Sequence, residues 1–141
     1  MRVDFYILPD SSEQARERLS CRLAEKAYKS GHTVFLYAES EQQAQRLDEM
    51  LWTFRAGSFI PHALGAERLE RPPPVLIGNS DPPSPVPHVL ITLSNAVPPF
   101  FERFERIAEI VDQTAQNRQS GRDRFRFYRD RGLQPHAHRL G

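Results

Sequence analysis

Cysteine is almost missing from this chain, with Cys21 the single one among 141 residues. That excludes an internal disulfide and a thiolate metal pair, and it fits a reducing, cytoplasmic compartment. Glycine-rich phosphate loops are missing too. Neither GxGxxG nor GxxxxGK followed by Ser or Thr occurs, and the turn Leu8-Pro9-Asp10-Ser11-Ser12 contains no glycine. Without glycine the backbone there cannot approach a pyrophosphate closely, which argues against a mononucleotide or dinucleotide site. No apolar run approaches the ~20 residues that span a bilayer, and Met1-Arg2-Val3-Asp4-Phe5 holds no signal-peptide core. Neither sign of charge dominates, since 19 Lys and Arg face 18 Asp and Glu for a net +1. Any affinity for nucleic acid or acidic peptide must therefore come from local clustering.

What is present alternates strand with helix. Val3 to Leu8 reads as a buried strand ended by Pro9-Asp10. Ser11 with Gln14 offers a capping box for a helix with Ala15, Leu19, Leu23 and Ala27 on one face, closed at Ser30-Gly31. Thr33 to Tyr37 is a second strand. Ser40 with Gln43 then caps a helix bearing Ala44, Leu47 and Leu51 that ends near Trp52-Thr53-Phe54. Ser58-Phe59-Ile60-Pro61-His62 reads as a short extended or turn segment. Two further strands are predicted at Val75 to Ile77 and Val89 to Leu93, separated by a proline-rich surface loop. A short helix is expected in Val97 to Phe104, and a final strand at Arg106 to Val111. Successive strand–helix units imply a three-layer α/β/α domain with a mostly parallel sheet. The expected organisation is one domain over residues 1–133, with 134–141 a flexible tail.

Few residues offer chemistry. His62 could serve as a general base, but no nucleophile elbow or paired carboxylate accompanies it. A ring that hydrogen-bonds loop carbonyls is the favoured reading. His136 and His138 could chelate a metal, yet no thiolate or carboxylate stands near them in sequence. Cys21 is most simply a small buried apolar group. Trp52 reads as core in the first instance; the alternative is that Trp52 or Phe59 lines a shallow surface pocket.

The densest feature runs from Arg118 to Gly132. Wound as a helix at roughly 100° per residue, it sets Arg118, Arg122, Phe125, Arg126 and Arg129 within about one third of the circumference. Gly121 weakens that helix by about 0.5–1 kcal/mol relative to alanine, so a start at Arg122 is expected. A guanidinium stripe with an aromatic ring suits an acidic ligand that carries an apolar or planar group. Either an acidic peptide with a hydrophobic end or a single nucleic-acid strand, with Phe125 stacking on bases, meets that description. A solvated basic helix face is the remaining possibility.

Arg46-Leu47-Asp48-Glu49-Met50-Leu51-Trp52, followed by Ser58-Phe59-Ile60-Pro61-His62-Ala63-Leu64, resembles the signature of the chi subunit of bacterial DNA polymerase III. Phe5-Tyr6-Ile7-Leu8, the Ser30-Gly31-His32-Thr33-Val34 helix exit and Arg124-Phe125-Arg126-Phe127-Tyr128-Arg129 follow in the family's order, so the resemblance covers essentially the whole chain. It implies a non-catalytic replication adaptor with no cofactor, metal, membrane or small-molecule substrate, touching DNA only indirectly. Its partners would be the psi subunit of the clamp loader and the acidic, phenylalanine-terminated tail of the single-stranded DNA-binding protein. By matching positions, Arg122, Arg126, Arg129 and Phe125 would form a basic and aromatic wall. Val111, Phe59 and Trp52 would add apolar contact, and Arg118 would meet aspartates further out. Arginine's fork suits carboxylates, and micromolar affinity, about 8 kcal/mol, is expected of a contact made and released. No functional motif matches Pro72 to Pro87. Psi is expected at an exposed apolar patch elsewhere on the fold.

Overall fold

The runs VDFYI, VFLY, VLIG and VLIT are rich in β-branched and aromatic side chains, and none can satisfy its backbone alone. In the computed structural model, which describes residues 1–53, 59–65 and 72–140, they join one sheet. In chain order the elements are β1 (Arg2–Ile7), α1 (Glu13–Lys29), β2 (Val34–Tyr37), α2 (Glu41–Thr53), β3 (His62–Leu64), β4 (Val75–Gly78) and β5 (Val89–Thr92). A 3-10 turn (Phe101–Arg103), β6 (Arg106–Val111), α3 (Ala115–Asp130) and β7 (His136–Arg139) follow. The sheet order is β3-β4-β2-β5-β6-β1-β7, and every pairing is parallel. Phe54, Arg55 and Ser58 lie outside the described residues.

Helices cover both faces. On one, Leu19, Cys21 and Ala24 of α1 and Leu47 and Leu51 of α2 pack on Val34, Leu36, Ile77, Ile91 and Ile110. On the other, Phe100, Phe101 and Phe104 at the 3-10 turn, together with Tyr128 of α3, pack on Val3, Phe5, Phe35, Leu90 and Ile107. The expected three-layer α/β/α domain is the one observed. Cys21 is sealed in the first layer, where burial pushes its thiol up to about 12.

Four details depart from the sequence reading. The α1 cap is Ser12, whose Oγ accepts from the Ala15 N–H at 3.2 Å, one residue later than Ser11. The helix expected in Val97 to Phe104 shrinks to the 3-10 turn, because consecutive prolines remove two N–H donors ahead of it. The basic helix does not wait for Arg122. It is continuous from Ala115, capped by Thr114, whose Oγ1 accepts from the Asn117 N–H at 3.2 Å. Gly121 sits within it because α3 lies so close to β6 that an added Cβ would stand 3.1 Å from both methyls of Val111.

The fourth departure is at the carboxyl end. Residues 134–141 were expected as a flexible tail, and His136–Arg139 instead pairs with β1 as the edge strand β7. His-Ala-His-Arg lacks an apolar alternation, so its stability comes from the partner. His138 Nε2 lies 2.8 Å from Asp4 Oδ1, and its ring stacks on Tyr6 at 4.9 Å. Just beyond the strand, the Leu140 N–H donates to the Ile7 carbonyl at 2.9 Å.

Candidate functional site

In α3 the arginines are not equivalent, and helix geometry sorts them. Arg124 and Tyr128, four residues apart, face the sheet. Arg124 Nε donates to Glu109 Oε1 at 2.9 Å, its Nη1 donates to the Asn95 carbonyl at 3.1 Å and to Ser120 Oγ at 2.8 Å, and Tyr128 Oη donates to Glu109 Oε2 at 2.8 Å. Glu109 and Tyr128 are fully buried and Arg124 nearly so. Burial pushes the Glu109 carboxyl up, and the Arg124 charge with the Tyr128 and Arg124 hydrogen bonds pulls it back. This network fixes the rotation of α3 about its own axis.

With that rotation set, Arg118, Arg122 and Phe125 are turned over the edge of the sheet. They meet Phe5 and Ile7 of β1, Val111 of β6 and Ala137 and Arg139 of β7 around a cleft of about 360 Å³, with Gly121 and Gln113 completing it. The alternation of the strands explains the set: Phe5 pairs with Ala137 and Ile7 with Arg139, so these four side chains share one face. Phe5 and Val111 are buried, and the Phe125 ring lies 5.2 Å from that of Phe5 at 56°, giving an apolar floor. Arg118, Arg122 and Arg139 are exposed at the rim, and no carboxylate is among the lining residues. Among the described residues this is a cationic cleft over an aromatic base, within the size range of small-ligand pockets.

Four of the eight residues expected at the site, Arg118, Arg122, Phe125 and Val111, are thus brought together. Arg126 and Arg129 are exposed but do not line the cleft. Arg126 Nη2 lies 3.9 Å from Asp123 Oδ1, and Arg129 Nε lies 3.6 Å from Asp130 Oδ1. Arg129 continues the line of Arg122 about 10 Å further along the axis, at 1.5 Å per residue. Arg126 falls towards the flank.

Trp52 and Phe59 are elsewhere, which corrects their grouping with the stripe. They belong beside β3, at the opposite edge of the sheet from β7; five interstrand spacings, roughly 24 Å, separate β3 from β1. Nor is Trp52 core. Trp52 is 55% and Phe59 63% exposed, and their rings are 5.5 Å apart, an exposed aromatic pair. The chain offers no periodicity linking these segments to α3, and proximity in a parallel sheet depends on a strand order that sequence adjacency does not reveal.

Phe5, Ile7, Ala137, Arg139 and Gln113 were missed. The available signal was the period-two alternation of β1, which places Phe5 and Ile7 on one face; nothing marked the polar β7 as their neighbour. His62 is no base. Its Nδ1 lies 2.6 Å from the Ile60 carbonyl oxygen and its Nε2 3.1 Å from that of Asp48, with the ring fully buried under Trp52 at 4.7 Å. His138 is taken up by Asp4, and no cluster of metal-ligating side chains occurs among the described residues. No helix among them is long and apolar enough to cross a membrane.

Comparison with known proteins adds a family. A family model described as the DNA polymerase III chi subunit matches residues 1–136. A Pseudomonas aeruginosa protein named DNA polymerase III subunit chi is 44% identical over 139 residues, covering 99% of this chain and 96% of its own. Proteins of that name from Escherichia coli (33% over 134 residues) and Haemophilus influenzae (30% over 138) each cover 92% of this chain and 91% of theirs.

Proposed function

The chain belongs to the DNA polymerase III chi subunit family and is a DNA replication accessory subunit; from that premise we propose that it is an adaptor with two docking surfaces. One surface takes the acidic C-terminal tail of the single-stranded DNA-binding protein. The other takes the psi subunit and so ties the protein to the clamp loader. The protein acts in the cytoplasm, without catalytic chemistry of its own.

The observation that carries the first assignment is the cleft bounded by Arg118, Arg122 and Arg139 above Phe5, Phe125 and Val111. A terminal phenyl ring needs the apolar floor, and a terminal carboxylate needs guanidinium forks at the rim. Single-stranded nucleic acid fits less well, because the Phe125 ring is half-buried against Phe5 and does not stand free as a stacking platform. The second assignment is supported by the exposed aromatic pair of Trp52 and Phe59, since exposed aromatic clusters of this kind form interface cores.

Titration calorimetry with an acidic peptide ending in Pro-Phe tests the cleft. Arg122→Ala and Phe125→Ala are each expected to weaken binding about tenfold, or about 1.4 kcal/mol, without unfolding the protein. Trp52→Ala with Phe59→Ala is expected to leave that affinity intact while losing psi in a pull-down. Unchanged peptide affinity in both cleft variants, or an oligonucleotide that binds tighter than the peptide with a steep salt slope, removes the peptide assignment.

A further inference from the structure

A second cleft, of about 480 Å³, lies back to back with the first. Leu8, Pro9 and Leu19 give it an apolar floor, Arg18 and Arg22 of α1 stand over it, and Leu140 closes it from the carboxyl end. The two clefts meet at one point in the fold. Ile7 and Arg139 line the first, and their chain neighbours Leu8 and Leu140 line the second. Successive strand residues point to opposite faces, so β1 and β7 at their carboxyl ends share a wall between the clefts.

The charges continue across that wall. Arg118, Arg122 and Arg139 stand on the α3 side, and Arg18 and Arg22 on the α1 side, all exposed. Arg18 and Arg22 are one helical turn apart on the same face, an arrangement of like charges that mildly destabilises a free helix. No ion pair among the described residues relieves them. Asp10 is the one carboxylate lining the second cleft.

We propose that the acidic peptide seated by its end in the first cleft continues round the edge of the sheet at β7 and lays its upstream carboxylates against Arg18 and Arg22. The proposal rests on the peptide reading of the first cleft and extends it. A helix layer stands about 10 Å from its sheet, so the path round the edge is roughly 15–20 Å, or about five or six extended residues at roughly 3.3 Å each. A four-residue peptide fills only the first cleft; a ten-residue one reaches the second. A peptide is favoured over a nucleic-acid strand because the second cleft is floored by Leu8, Pro9 and Leu19 and holds Asp10, where a phosphate backbone would want an unbroken cationic track.

The experiment compares a four-residue peptide and a ten-residue acidic peptide, both ending in Pro-Phe, on the full chain by fluorescence anisotropy. In Arg18→Ala with Arg22→Ala, affinity for the long peptide is expected to fall about fivefold, the modest loss that two exposed charge pairs allow, with the short peptide unaffected. Thermal melting of the double variant checks its fold. Long-peptide affinity equal to the unmodified protein's overturns the extension and leaves the first cleft standing. Unchanged short-peptide affinity in Arg122→Ala overturns both. Displacement of the long peptide by an equal concentration of a single-stranded oligonucleotide, abolished in the double variant, overturns the extension by making the surface a phosphate track.

Discussion

Arg124 is the arginine of α3 whose loss should be felt in stability and not in binding, and the magnitude can be worked from its surroundings. Its guanidinium is nearly sealed against Glu109, itself fully buried, with three donated bonds between 2.8 and 3.1 Å. Arg124→Met keeps the stem and removes the charge, which leaves the buried Glu109 carboxyl with the Tyr128 hydrogen bond and the more distant Arg16 charge. Stranding one member of a buried pair costs about 3–5 kcal/mol. With a urea m-value of about 2 kcal/mol/M, a loss of about 4 kcal/mol moves the midpoint down by about 2 M. A domain of this size holds about 5–15 kcal/mol, so the variant should remain folded in buffer. Adding Glu109→Leu removes the stranded charge and is expected to recover most of the loss. Urea unfolding followed by far-UV circular dichroism measures all three proteins. A midpoint shift below about 0.5 M in Arg124→Met, or a double variant no better than the single, would refute the assignment of Arg124 as the anchor of α3.

Three further outcomes are expected. Gly121→Leu drives a side chain into a contact where even a Cβ stands 3.1 Å from Val111, so it should both destabilise the fold by about 1–3 kcal/mol and abolish peptide binding, read by urea unfolding and calorimetry. Arg139→Ala, at a position the sequence did not mark, should weaken the acidic peptide about threefold to tenfold with the melting temperature within a degree or two, since the side chain is exposed. Acid stability should depend on Asp4. Burial raises its carboxyl, but the Arg2 and His138 hydrogen bonds and the Arg2 and Arg106 charges win and hold it below its usual 3.8. A depressed pKa stabilises the fold above the unfolded value and is lost as pH falls through the folded one, so Asp4→Asn should flatten the fall in unfolding free energy below about pH 4 by up to about 1.4 kcal/mol per pH unit. An equally steep fall in the variant rules Asp4 out.

Elements that announce themselves locally were legible. The buried strands Val34–Tyr37, Val75–Gly78 and Val89–Thr92 are short apolar runs between turn residues, and Gly31 at φ 85° ends α1 where the sequence placed the stop. The outward arginine face of α3 followed from the helical period alone. What was not legible was anything set by neighbours distant in sequence. β7 carries no pattern of its own and exists because β1 offers it an edge and Asp4 a partner for His138. Gly121 looked like a weakness in a helix, when its lack of a side chain is what lets that helix lie on Val111. Trp52 and Phe59 were grouped with α3 by the family resemblance, yet strand order puts them at the far edge.

That misplacement carries the functional argument further than agreement would have. Had Trp52 and Phe59 formed the floor beneath the arginines, the protein would present one composite site and one partner at a time. Separated by roughly 24 Å across a rigid parallel sheet, the aromatic pair and the cationic cleft can be occupied together. They also differ in kind. An exposed tryptophan–phenylalanine pair is costly to leave in water and suits a lasting association. Rim arginines around a small cleft would give a salt-sensitive contact that forms and releases quickly. On the adaptor reading proposed above, joining one durable and one exchangeable surface through a stiff body would raise the effective concentration of the second partner near the first without any coupling between the sites. A bridge of that design needs no catalytic residue and no conformational switch, only the two surfaces held apart by the sheet.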